Sequence, residues 1–392
     1  MVKLTQFGNA LKNYFVTVIR KVSWLPVIML IACGGGGGTS PETNADQNTI
    51  APVTPITAWN LDEAFEYGMK DGSFTQQITV IENTEILRTN FRSIVDGEIV
   101  SLQNAGQALL IKNFQDVREN NQLTSWSTGK SFLSIIIGIA QDQGFLGIDD
   151  KASQYLNEWI GDDRENISIR NLLNMRSGLE KFDGGNGGNF FGNDSHLDVC
   201  LDAALIDEID YSFDYNNCNS MLLGEIVERA TGQNFKSYAD TYLFSPLQIN
   251  ATWWTDQAGN YVTYCCVDMT QAEYASFGKM LLNKGNGIVS EAYINEILNA
   301  VGNYNLHFWL IDNTLQTIGF DGQIIAVDFN NNLVILRNSL YHPITSGDYV
   351  FKVSNEPLDL QQSTGPLTLP EAILGTGTTF SMSEFMRILK NL

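Results

Sequence analysis

The sequence predicts an α+β fold, an antiparallel sheet flanked by helices with an all-helical lobe inserted into it. Three observations carry this. Residues 77–81 and 86–91 read as the two strands of a hairpin around the polar turn Asn83-Thr84. Residues 149–287 read as one helix after another. From residue 305 onward the pattern turns to short strands. Strands near both ends, with helices between them, are most simply joined in one sheet. Residues 56–145 and 290–392 then form the α/β lobe, and 146–289 the helical lobe. That body is long for one simple core and too short for three, and it contains no internal repeat.

Residues 1–33 read as a leader. Lys3, Lys12, Arg20 and Lys21 give a basic start with no acidic residue, and 22–32 is an apolar run too short to span a bilayer. The run ends Leu30-Ile31-Ala32-Cys33-Gly34, which resembles a bacterial lipobox. That resemblance implies a lipoprotein signal peptide cut before Cys33, with lipid on its thiol. The expected location is the cell envelope, anchored in the membrane. Gly34, rather than Asp, implies the outer membrane, facing the periplasm. Residues 34–55 are Gly, Ser, Thr, Asn and Pro with little apolar content, a flexible tether.

Beyond the tether, Asn60 caps a helix over 61–69, and the hairpin follows. Pattern is weak up to residue 123. Residues 131–140 are apolar on nearly every side, as in a helix buried all round. Helices are then expected over 150–159, 168–175, 196–206, 220–231, 235–243 and 271–283. Strands are expected over 306–311, 315–318, 323–328 and 333–337, with Asn330-Asn331-Asn332 turning the last pair, and a helix over 383–392 closes the chain.

The chain has 23 basic residues against 44 acidic ones. Loss of the leader's four leaves 19, a formal charge of −25. Such a surface repels phosphate backbones and excludes nucleic acid as a partner. Apart from Cys33 there are Cys200, Cys218, Cys265 and Cys266, and an exported chain meets an oxidising compartment. Adjacent cysteines rarely pair, so Cys265 and Cys266 are each expected to seek Cys200 or Cys218, with the pairing left open.

The chemistry centres on Ser125-Trp126-Ser127-Thr128-Gly129-Lys130. At a helix start, Ser127 and Lys130 lie on one face within reach of each other. Free N–H groups and the positive end of the helix dipole face whatever Ser127 attacks. A buried lysine is driven toward its neutral form and can take the serine proton. A second match, Ser276-Phe277-Gly278-Lys279, follows the capping box Thr270-Gln271-Ala272-Glu273 and so falls inside a helix, where N–H groups are already bonded. There is no G-x-S-x-G. His196, His307 and His342 are far apart and form no H-x-x-x-H, so no metal site is expected.

These pieces occur with others in a fixed order: Ser125 to Phe132; Ile169-Arg170-Asn171-Leu172-Leu173-Asn174-Met175-Arg176-Ser177-Gly178-Leu179; Phe213-Asp214-Tyr215-Asn216-Asn217; Leu222 to Gly232; and Ser245-Pro246-Leu247. Together they resemble the serine hydrolases related to class C β-lactamases and penicillin-binding proteins, nearest the nylon-oligomer hydrolase and esterase branch. The resemblance implies a β-lactamase/transpeptidase-like fold and no cofactor. It also implies a Tyr-x-Asn element at Tyr215 and Asn217, in which Tyr215 returns the proton to the leaving group. Its third element, a basic residue followed by x-Gly on a strand facing the serine, falls on Thr317-Ile318-Gly319, then Phe320-Asp321-Gly322-Gln323. The basic residue is absent, which argues against substrates carrying the carboxylate of β-lactams and peptidoglycan peptides. Gly319, Phe320 and Gln323 would border the substrate, and the N–H groups of Ser127 and Phe320 would form an oxyanion hole. Asp321 is unusual there and is expected to point away.

Residues 183–194 are rich in Gly, Asn and Asp and read as a flap carrying Phe190 and Phe191. The expected function is a serine hydrolase cleaving a small-molecule ester or amide through an acyl-enzyme on Ser127, with Lys130 as base. The alternatives are a β-lactamase or D-Ala peptidase of the cell wall, or a non-catalytic binding lipoprotein of the same fold.

Overall fold

Asn60 opens the first helix: its side chain accepts the Glu63 amide at the start of α1 (Leu61–Gly68). A computed structural model describes residues 58–104, 122–182, 193–339, 351–352 and 380–392. The leader, the tether, Cys33, Phe190, Phe191 and His342 lie outside the described residues. The hairpin is β1 (Thr75–Glu82) and β2 (Glu85–Phe91), with Asn83 at φ 56° in its turn, a conformation Asn tolerates. There follow α2 (Asp96–Asn104), β3 (Leu123–Thr124), a 3-10 turn over Trp126–Thr128, and the central helix α3 (Gly129–Asp142). The helical stretch holds α4 (Ile169–Leu173), α5 (His196–Leu201), α6 (Asn217–Thr231) and α7 (Phe235–Ala239). Short strands β4 (Thr252–Trp253), β5 (Thr255–Asp256) and β6 (Val267–Met269) lead to α8 (Gln271–Leu282) and α9 (Glu291–Leu298). The rest is β7 (Tyr304–Asn305), β8 (Phe308–Ile311), β9 (Thr314–Gly319), β10 (Gln323–Asp328), β11 (Leu333–Ser339), β12 (Phe351–Lys352) and α10 (Met382–Leu389).

The main sheet has the order β2-β1-β11-β10-β9-β8-β7, antiparallel throughout. The first hairpin joins the late strands through β1 and β11, from Thr75 opposite Ser339 to Glu82 opposite Leu333. One face packs on the end helices. Ala64 and Phe65 of α1 and Met382, Phe385 and Leu389 of α10 meet Ile78, Val80, Ala326 and Ile335. The other face packs on α8, where Gly278 lies so close to Val334 that an added methyl would collide. Beyond α8, α3 buries Phe132, Leu133, Ile135, Ile136, Ile137 and Ile139 in the main core. Each such side chain contributes about 1.5–3 kcal/mol. Gly138 lets the ring of Tyr293 lie against α3, and Ser134 Oγ pairs with its hydroxyl at 3.2 Å.

Two helices differ from expectation, for one reason. Over 150–159 the chain makes 3-10 turns, Ala152–Gln154 and Asn157–Trp159. The amide of Ala152 donates to Ile167 and that of Ile169 to Asp150, so neighbouring segments take the bonds a helix would use. The helix from His196 stops at Leu201, because Glu180 donates to the Ala204 carbonyl and Leu205 bridges Leu179. The cysteine expectation is also corrected. Cys200 of α5 bonds Cys218 in the first turn of α6, leaving Cys265 and Cys266 to bond each other. The second Ser-x-x-Lys match lies inside α8 after its capping box, where Ser276 Oγ donates to the Ala272 carbonyl.

Candidate active site

Ser127 lies in the 3-10 turn that feeds α3, with Lys130 one turn on. Trp126, just before it, has φ 46°, a left-handed conformation that costs a bulky residue about 1–3 kcal/mol. The surroundings enforce it. The Trp126 carbonyl accepts from the Cys266 amide at 3.3 Å and from Ser125 Oγ at 3.0 Å. Its ring stands edge-on to Phe320, and Trp254 packs beside it. Ser125 is tied to β6 by its amide, which donates to Val267 O, and by its hydroxyl, which accepts from Val267 N. The turn is thus fixed before Ser127, which is itself half-buried.

Lys130 is 1% exposed. Its Nζ lies 3.2 Å from Ser127 Oγ and donates to Asn217 Oδ1 at 2.7 Å and to the Tyr264 carbonyl at 2.6 Å. The ring of Tyr215 lies under the amine, 4.8 Å from centroid to Nζ. Tyr215 and Asn217 reach the site because Asn216 caps α6, its side chain accepting the Cys218 amide while its NH2 group donates to the Leu179 and Glu180 carbonyls. Behind Tyr215, Trp309 stacks on its ring and Tyr304 stands edge-on. The Tyr304 hydroxyl pairs with His307 Nδ1 at 3.1 Å, and His307 Nε2 with Ser220 Oγ at 3.0 Å. Burial, and then the Lys130 amine, hold His307 well below its usual range. Burial raises the Tyr304 phenol well above its own, with Tyr215 adding to the shift.

The third element meets the turn edge-on. Thr317 Oγ1 donates to Thr128 Oγ1 at 3.3 Å, and Thr128 Oγ1 donates to the Gln323 carbonyl at 3.0 Å. A methyl on Gly319 would fall 2.2 Å from the Ser125 carbonyl, so only glycine allows this approach. Strand β8 pairs with β9 only from Ile311–Thr314 to Trp309–Gln316. Residues 317–319 therefore pair with β10 on one side, and among the described residues no strand pairs with them on the other. Phe320 starts a 3-10 turn, Phe320–Gly322. The Gln323 side chain is engaged within the sheet. Its amide NH2 donates to Ser339 O, and its oxygen accepts from Asn338 Nδ2 and Ser339 N, so it ties β10 to β11.

Asn217 was legible in the sequence from its motif alone, and its contact with Lys130 is made in the structure. The Tyr264 carbonyl carries no sequence signal, since a backbone oxygen is common to every residue. Among the described residues no group of three or more His, Cys, Asp or Glu is placed to hold a metal ion.

Residues 91–263 match the family model described as Beta-lactamase. The chain is similar to a penicillin-binding protein of Bacillus subtilis (strain 168), 28% identical over 167 residues, 40% of this chain and 35% of that one. It is also similar to the 6-aminohexanoate-dimer hydrolase of Paenarthrobacter ureafaciens, 23% identical over 264 residues, 54% of this chain and 64% of that one. The chain thus spans between about a third and two thirds of the length of these curated relatives. Among solved structures, EstCE1, a hydrolase with promiscuous acyltransferase activity, superposes with TM-score 0.58 at 14% identity, over 71% of this chain and 92% of that one. FmtA from Staphylococcus aureus superposes with TM-score 0.57 at 16% identity, over 72% and 84%. The fold is that of the β-lactamases and transpeptidases. Residues 91–263 are similar to that β-lactamase/transpeptidase-like family, a family of serine hydrolases.

Proposed function

We propose that the protein is a serine hydrolase that cleaves an ester or amide through an acyl-enzyme on Ser127. The observation that carries the proposal is the seat of the Lys130 amine, held by Asn217 Oδ1 and the Tyr264 carbonyl with Ser127 Oγ at 3.2 Å. A neutral amine with its hydrogens on those two oxygens turns its lone pair toward the serine. Ser127 Oγ then bonds the carbonyl carbon as its proton passes to Lys130. The resulting oxyanion is then met by the backbone N–H groups of Ser127 and Phe320, and one such donor lowers a barrier by about 2.7–4 kcal/mol. The carbon–leaving-group bond breaks as Tyr215 protonates the leaving oxygen or nitrogen, and Tyr215 is recharged through Lys130. Water repeats the cycle on the acyl-enzyme.

Thr317 stands where the family resemblance expects a base, its hydroxyl bonded to Thr128. With no cation at that position, the reading favours substrates that are neutral at the acyl end over penicillins and cell-wall peptides. Attachment to a membrane through lipid on Cys33 is part of the proposal and rests on the leader sequence. Short p-nitrophenyl esters, amide oligomers and a chromogenic cephalosporin, tested side by side on the wild type and Ser127→Ala, decide the reading. Esters are expected to turn over fastest, with Ser127→Ala inactive. A cephalosporin as best substrate overturns the ranking, and retained turnover in Ser127→Ala overturns the mechanism.

A further inference from the structure

We propose that the Cys265–Cys266 disulfide is a positioning device for the Lys130 amine, joining two neighbouring residues so that the Tyr264 carbonyl is fixed beneath the nucleophile turn. The inference rests on the reading of Ser127 and Lys130 as the catalytic pair. Cys265 and Cys266 are positioning residues, since neither side chain is the group that touches the amine.

The segment 264–266 clasps that turn at three points. Tyr264 gives its carbonyl to Lys130 Nζ at 2.6 Å. The backbone of Cys265 lies so close to Gly129 that an added methyl would sit 2.9 Å from its carbonyl carbon. Cys266 donates its amide to the Trp126 carbonyl, one residue before Ser127. Residues 263–266 belong to no helix and no strand; besides these contacts, Cys265 donates its amide to the Val262 carbonyl and the Cys266 carbonyl accepts from Trp254. Cys266 also has φ 71°, where a residue with a side chain is disfavoured. A bond between adjacent side chains closes a ring through the single peptide that joins them. That ring restrains the peptide and, through Cys265, the carbonyl before it. The other acceptor of the amine is tethered in the same way. Asn217 immediately precedes Cys218, which is bonded to Cys200. Each oxygen that holds Lys130 therefore sits one residue before a cross-linked cysteine. A misplacement of about 1 Å in such a group costs on the order of 10²-fold in rate.

The test compares kcat, KM and the pH profile of kcat/KM on a short p-nitrophenyl ester for wild type and C265A/C266A, with Tm measured in parallel. The titratable groups facing the amine are Tyr215, Tyr264 and His307, and all remain in the variant. At a temperature well below Tm, the expected result is a kcat at least tenfold lower, KM within about twofold, and a displaced acidic limb. A variant with lower Tm but unchanged kcat and acidic limb overturns the proposal, because the link then serves stability alone. If the alanine pair does not fold, C265A/C266G, whose glycine accepts φ 71°, reads the same quantities. Failure of both to fold also overturns it. Loss of turnover in Ser127→Ala together with an unaffected C265A/C266A sinks only this inference; retained turnover in Ser127→Ala sinks the reading beneath it.

Discussion

Lys130 Nζ lies 2.6 Å from the Tyr264 carbonyl and 3.2 Å from Ser127 Oγ, so the amine is held more closely by the turn behind it than by the hydroxyl before it. A base seated in this way keeps its place when the serine moves onto a substrate carbon. It also means that groups around Lys130, rather than Ser127 itself, set where the amine points.

Asn217 is the side chain among those groups. Asn217→Ala removes an acceptor at 2.7 Å without touching the backbone cap, which belongs to Asn216. The amine becomes charged as it takes the serine proton, and a hydrogen bond to a charged group is worth about 1.5–3 kcal/mol, or roughly ten- to a hundredfold. Steady-state kinetics should show kcat falling by that factor with KM little changed. A kcat within twofold of wild type would mean that Asn217 only shapes the loop.

Gly319→Ala probes the close approach of β9. The added methyl meets the Ser125 carbonyl at 2.2 Å, so strand or turn must shift. Activity should fall by about a hundredfold, while Tm drops by only a few degrees because the rest of the sheet is unchanged. Unchanged activity would remove Gly319 and its strand from the site.

His307 gives the fold a pH dependence. Its folded value is below the 6.5 of the free side chain, so between the two the unfolded chain holds the extra proton. Stability from this group is therefore complete above about pH 6.5 and declines as pH falls below it, by about 1.4 kcal/mol for each unit of separation. Chemical denaturation from pH 7.5 to 5 should show that decline, and His307→Gln should flatten it. An equal slope in both proteins would place the titrating group elsewhere.

Cys33 is tested by growth with an alkyne fatty acid. Label should appear on the wild-type chain, and Cys33→Ala should lose both label and sedimentation with membranes. Label retained in Cys33→Ala would remove the lipid anchor from the proposal.

Much of this site could be read in the sequence because its parts are local. Ser127 and Lys130 share one helical turn, and Gly319 and Tyr215 were placed by short motifs in order. The strand over 323–328 matches β10 because a short continuous apolar run, Ile324 to Val327, reads as a strand buried in a sheet. What escaped depends on distant partners. Residues 150–159 carry helical character, but their amides find better acceptors across a loop. The link between Cys265 and Cys266 runs against the ordinary tendency of neighbours not to pair. It became visible only once α5 and α6 had brought Cys200 against Cys218. The hold of Tyr264 on Lys130 spans 134 positions and uses an atom that no side chain reveals.

The pairing of β1 with β11 ties Glu82 to Leu333 across most of the molecule. A ribosome must therefore finish nearly the whole chain before the first hairpin can find its neighbour, and until then that hairpin waits with one edge unfilled. Closing so large a loop is slow, though the entropic penalty grows only logarithmically with its length. Early termination short of residue 333 would leave β1 and β10 without the strand that lies between them, and such a fragment should be cleared as waste rather than accumulate as a weaker enzyme.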